Sequence, residues 1–296
     1  MNQNFLKKSK GVTLIELLIA LAISAILVAG IYRTFIHQQK TYATQEQVAD
    51  MQQNVRVAIN RMMREIRMAG FGGKNENTKG DNDIITAFVT VNGFANIINP
   101  VNDTIVDGIN HDQITVIGAF RQIGILAAAA NAGDNTININ YIGNTKFDTD
   151  KKKYMCINGR YNYEVDPTKP PITLAKTAAN PSGTLNESHV AGELVFLVEA
   201  ITYGLEKDPN GTPVLFRDSN TGGGNQDVAE YVEDLQFRYV LADNTEVDLP
   251  GNPKDVRGVR ITIQARTRLS DPELKEGGGF RRRTLNTYID LRNLRD

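Results

Sequence analysis

Glu16 is the single charged residue between Gly11 and Tyr32, set in the apolar run Val12-Thr13-Leu14-Ile15-Glu16-Leu17-Leu18-Ile19-Ala20. A carboxylate among apolar residues is costly unless a cation or a set of N–H donors meets it. Ion pairing is therefore the chemistry this position asks for. Other constellations offer less. His37, His111 and His189 stand far apart, with neither an H-x-x-x-H ligand pair nor a G-x-S-x-G nucleophile motif in the chain. Gly222-Gly223-Gly224 and Gly277-Gly278-Gly279 lack the lysine and following hydroxyl of a phosphate loop and read as loop tips. No enzyme activity is expected. Asp81-Asn82-Asp83 and Asp148-Thr149-Asp150 alternate oxygen ligands as calcium loops do, but without the glycine and distal glutamate of an EF-hand. Solvated turns are the expectation there, and calcium is the one cofactor these residues suggest. Cys156 is the only cysteine, so no intramolecular disulfide can form, and it reads as a small buried residue of the strand-like Tyr154-Met155-Cys156-Ile157.

The element that must position Glu16 is a helix. Lys7, Lys8 and Lys10 precede an uncharged run from Leu17 to Tyr32. With residues 12–15 added, the apolar span reaches the ~20 residues a bilayer-crossing helix needs. The basic flank predicts a cytoplasmic N-terminus. A removable secretory signal has a shorter apolar region before its cleavage site; here apolar sequence continues well past Ala20 and Ala22. Beyond a polar stretch from His37 to Gln47, Met51, Val55, Ile59, Met62 and Ile66 recur at spacings of three and four, one apolar stripe of a 3.6-residue period. The first proline is Pro100. One helix is therefore predicted from Val12 to about Ala69, a rod of roughly 85 Å at ~1.5 Å per residue. Gly70, Gly72 and Gly73 stand behind it as breakers. Gly30 is its one internal weak point, costing about 1 kcal/mol relative to alanine.

After Gly73 the sequence turns to short β-rich runs separated by Asn, Asp, Gly and Pro. Strands are predicted at 84–91, 113–120, 136–142, 194–205, 214–217, 231–241, 256–269 and 284–291. The clearest alternation is Val259-Arg260-Ile261-Thr262-Ile263-Gln264-Ala265-Arg266, the pattern of a half-buried antiparallel strand. Asp208-Pro209-Asn210-Gly211 and Pro250-Gly251-Asn252-Pro253 supply turns. The fold class is α+β: a long N-terminal helix packed on an antiparallel, sheet-rich C-terminal head. With 41% hydrophobic and 23% charged residues over 296 positions the chain is globular outside its anchor. Its formal charge of −1 gives no global case for binding nucleic acid. Arg281-Arg282-Arg283 reads as a charged strand edge that resists pairing.

The segment Gly11 to Ala20 resembles the class III signal of type IV pilins and pseudopilins. The resemblance implies cleavage by a prepilin peptidase after Gly11, on the cytoplasmic side, with the hydrophobic helix retained. Residues 1–11 would then be a leader, Val12 the mature N-terminus and Glu16 the glutamate used in subunit assembly. N-methylation of Val12 is carried over on the same ground, although many members have phenylalanine there. Cleavage creates an ammonium at Val12, and an opposite charge nearby offsets the desolvation of both groups.

Two further stretches narrow the resemblance. Thr44-Gln45-Glu46, residues 51–59 and Met63-Arg64-Glu65-Ile66-Arg67-Met68-Ala69-Gly70-Phe71 are similar to the PilW family of minor pilins. So are Tyr231 to Tyr239, Val256 to Arg268 and the closing Leu291-Arg292-Asn293, whereas 74–190 matches nothing specific. That family is similar in turn to the J-type pseudopilin of type II secretion. The resemblance implies residues 12–36 as membrane and filament-core helix, 37–70 as its amphipathic half and 71–296 as the head. It implies a minor pilin that primes pilus assembly in a complex at the tip, with other minor pilins, the major pilin and inner-membrane lipid as partners. The head would lie in the periplasm before assembly and on the cell-surface pilus afterwards. A secretion pseudopilin and a tip-located adhesive module are the alternatives.

Overall fold

Helix α1 spans Leu14–Arg67, 54 residues without a proline. In a computed structural model, the structure describes residues 11–72, 90–106, 108–168, 171–177, 180–271 and 273–294. Val12 and Thr13 lie outside the helix, two residues later than periodicity alone placed its start, because Thr13 caps it. At the other end Ala69 N donates to Ile66 O at 3.0 Å, and Gly70 takes the left-handed conformation at φ 80°. This is the stop that the glycines announced.

The chain divides into two compact units, Met1–Asp50 and Met51–Asp296. In the first, apolar side chains point outward along the helix: Leu14 is 78% exposed and Ile26 73%. In the second, Met51, Val55, Ala58, Ile59, Met62 and Ile66 are buried, adding Ala58 to the stripe read from spacing.

Among the described residues, fourteen strands build the head from two sheets. In chain order they are β1 Ile98–Val106, β2 Ile109–Leu126, β3 Thr136–Ile137, β4 Ile139–Tyr141, β5 Tyr154–Ile157, β6 Asn162–Asp166 and β7 Ile172–Leu174. They continue with β8 Leu194–Lys207, β9 Pro213–Asp218, β10 Gln226–Glu230, β11 Val232–Leu241, β12 Glu246–Val247, β13 Val256–Arg266 and β14 Arg282–Asp290. The larger sheet runs β1-β2-β8-β5-β6-β7-β3, with β4 on β2 and the β9–β10 pair on β8. The smaller runs β12-β11-β13-β14. Every pairing among these strands of the described residues is antiparallel.

The predicted alternation in β13 is realised. Val259, Ile261, Ile263 and Ala265 are buried while Arg260, Thr262 and Gln264 face out. The predicted strand over 136–142 divides into β3 and β4. Residues 84–89 of another predicted strand lie outside the described residues, and Val91 makes only an isolated bridge to Phe94.

Helix and larger sheet are joined by a part-buried polar network. The Glu65 carboxylate accepts from Tyr203 Oη at 2.6 Å and from Arg217 Nε at 3.0 and 3.2 Å. Glu199, on the same strand as Tyr203, is less well served. Its side chain is 2% exposed, its nearest cation is Arg121 Nη2 at 3.7 Å, and its Oε2 has no hydrogen-bond partner. Burial pushes its carboxyl above the ordinary value of 4.5, against the pull of Arg121 and Arg217. A carboxyl raised by folding contributes stability that is full below its unfolded pKa and lost as pH rises through the folded one. Glu199→Gln is therefore expected to stabilise the head by about 1 kcal/mol at pH 7, a rise of about 2–4 °C in melting temperature. The gain should vanish on acidification below the ordinary carboxylate range, which paired thermal melts at the two pH values would reveal.

Candidate processing and assembly site

The N-terminal site is built from four residues ahead of and inside the first helical turn. No side chain or backbone atom would crowd a Cβ at Gly11, and Val12 after it is 74% exposed. Thr13 and Glu16 then hold each other. Glu16 N donates to Thr13 Oγ1 at 3.3 Å, while Glu16 Oε2 accepts from Thr13 N and from Thr13 Oγ1, both at 3.0 Å. This is a capping box, which satisfies two of the N–H donors that a helix start leaves unpaired. The carboxylate is fixed at the helix N-terminus, where the dipole favours negative charge. It accepts from Thr13 N, the backbone nitrogen next after that of Val12, which cleavage would convert to an ammonium.

Thr13 is the residue that sequence reasoning passed over. Its signal was present in T-x-x-E at positions 13–16, hidden inside an apolar run. Replacing Thr13 by alanine removes the hydroxyl but keeps its N–H, and should cost about 1 kcal/mol of helix start. Faster hydrogen exchange at the amides of the first turn is the expected readout, with Thr13→Ser restoring protection.

The remaining candidates are occupied. His111 Nδ1 lies 3.2 Å from Asp234, His189 Nδ1 lies 2.7 Å from Glu193, and His37 Nδ1 lies 3.3 Å from Thr41 Oγ1. Burial pushes the Cys156 thiol up to about 12, so it is not a thiolate nucleophile near neutral pH. Asp148 Oδ1 accepts from the backbone N–H of Asp150, Lys151 and Lys152, closing the turn expected there. Asp81-Asn82-Asp83 lies outside the described residues. Among the described residues no group of three or more His, Cys, Asp or Glu is placed to hold a metal.

The arginine run is split by its partners. Arg281 pairs with Asp271 at 2.7 Å and Arg282 with Glu233 at 2.5 Å, leaving Arg283 exposed. A cleft of about 560 Å³ beside Asp234, Gln264 and Arg266 is lined by these same committed charges. Asp234 is held by His111, and Glu233 by Arg266 and Arg282.

Among the described residues α1 is the one helix long and apolar enough to cross a membrane. No curated protein and no solved structure matches the chain. Residues 6–32 match the family model of the prokaryotic N-terminal methylation motif. The chain thus carries the signal of type IV pilins and pseudopilins, which implies processing by a prepilin peptidase and points to a structural, non-enzymatic protein.

Proposed function

We propose that this chain is a minor pilin of the PilW kind, which primes type IV pilus assembly and sits with other minor pilins at the filament tip. Prepilin peptidase cuts between Gly11 and Val12, Val12 is methylated, and the apolar half of α1 passes from the inner membrane into the filament. Glu16 then meets the ammonium of its own or a neighbouring subunit. The observation that carries this reading is a lone carboxylate, held by Thr13 at the start of an apolar helix within the methylation motif. A head of more than 200 residues supports a minor role, since so large a head would crowd a close-packed shaft.

The test is a deletion strain complemented with tagged full-length protein, scored for pili by electron microscopy and for neighbours by crosslinking in intact membranes. Loss of pili on deletion, with crosslinks to other pilin-signal proteins, is the expected result. Normal pili together with a secretion defect would move the chain to the pseudopilins.

A further inference from the structure

Strand β14 pairs with β13 over nine consecutive residues, Arg282↔Arg266 to Asp290↔Gly258, without a bulge. On its other side no strand pairs with it among the described residues. Such an edge offers a row of unpaired N–H and C=O groups, a template for another strand. The other strand edges among the described residues are blunted. β1 contains Pro100 and a register shift between Val101 and Thr104, and β10 is shifted between Asp227 and Ala229. β3, β4 and β12 have two or three residues each. The open side of β11 is covered in part by β12 and in part by Asp112, whose Oδ2 accepts from Phe237 N at 2.7 Å.

Charge surrounds the β14 edge. Thr287 Oγ1 donates to Met63 Sδ at 3.5 Å, which sets the Met63 side of α1 beside the strand. Arg56 and Arg67, seven residues before and four after Met63, fall on that same side of the helix and are exposed. Arg283 is exposed four residues before Thr287 on the same strand face, and Arg292 is exposed just past the strand. None of these four arginines has a carboxylate within ion-pair distance among the described residues. An edge ringed by like charge repels a second copy of itself and attracts an acidic partner.

We propose that the open edge of β14 receives an extended acidic segment of a partner protein, which adds as a further strand and sets its carboxylates among Arg56, Arg67, Arg283 and Arg292. Backbone pairing supplies the docking and the arginines select the sign of the occupant. The proposal stands apart from the filament reading, since it needs only the head and the end of α1.

Full-length protein in detergent micelles would be titrated against labelled nonapeptides that alternate glutamate or lysine with valine, followed by fluorescence anisotropy. The glutamate peptide should bind saturably, the lysine peptide should not, and the exchange of β14 amides should slow. Arg56→Glu with Arg283→Glu, both at exposed positions, should weaken binding about tenfold or more. N-methylation of alternate residues keeps the peptide's charge but removes one row of its N–H donors; one of the two alternations should abolish binding. Failure of the glutamate peptide to bind, binding that survives both methylation patterns, or equal binding of the lysine peptide would overturn the proposal.

Discussion

Glu16→Ala is expected to leave peptidase processing and membrane insertion intact while reducing incorporation into filaments to background. The carboxylate lies outside the Gly11–Val12 bond, and removing a charge from an apolar helix favours membrane residence. Two losses follow from the substitution, and they differ in size. Without its half of the capping box the helix start weakens only modestly, too little to empty a filament. Without its charge, the Val12 ammonium that the proposed cleavage would create would meet no anion on leaving water, and an unpaired charge in that environment is strongly unfavourable. Glu16→Gln separates the two, because an amide oxygen can still accept from Thr13 N at the position of Oε2. Ion pairing predicts that glutamine fails as alanine does. Cleaved and uncleaved forms resolved by immunoblot, membrane fractions and sheared filaments would be compared across the three proteins. Wild-type incorporation of the glutamine variant would sink the ion-pair account and leave only capping.

What could be read in advance follows from the range of each interaction. α1 was legible because proline is absent before Pro100 and because Met51, Val55, Ile59, Met62 and Ile66 repeat within a few residues. Ala58 joins the same stripe but is too small to stand out in a hydrophobic pattern. β8, β11 and β13 were legible from their alternating or β-branched runs. β1 was not, since Asn99-Pro100 and Asn102-Asp103 have the composition of a turn, and Asp103 does take φ 58° inside a bulged edge. β6, β7 and β10 are short, and their pairing is decided by neighbours distant in sequence. At the N-terminal site the charge of Glu16 was conspicuous, whereas the capping role of Thr13 depended on a three-residue spacing that apolar neighbours masked. The network around Glu65 left no local trace at all, for its partners Tyr203 and Arg217 lie 138 and 152 residues away.

That network carries the largest stability effect expected of one side chain. Glu65 is 13% exposed and Arg217 5%, and the carboxylate answers both the guanidinium and the Tyr203 hydroxyl. Arg61, at 3.7 Å and 41% exposed, adds little through solvent. Glu65→Ala leaves Arg217 buried with only the distant Glu199 to balance it and Tyr203 Oη without its acceptor. Removing one partner of a buried pair costs about 3–5 kcal/mol, a large part of the roughly 5–15 kcal/mol that stabilises a typical domain. For a head of this size that is a fall of about 6–20 °C in melting temperature. Thermal melts of the detergent-solubilised full-length protein would measure it, with hydrogen exchange along Met51–Arg67 showing whether the helix end detaches first. The triple substitution Glu65→Leu, Arg217→Met, Tyr203→Phe removes every polar member together and should recover most of the loss, because apolar groups of similar volume leave no charge buried alone. If the triple variant were no more stable than Glu65→Ala, the loss would belong to packing around α1. The charge pair would then contribute nothing that leucine and methionine could replace.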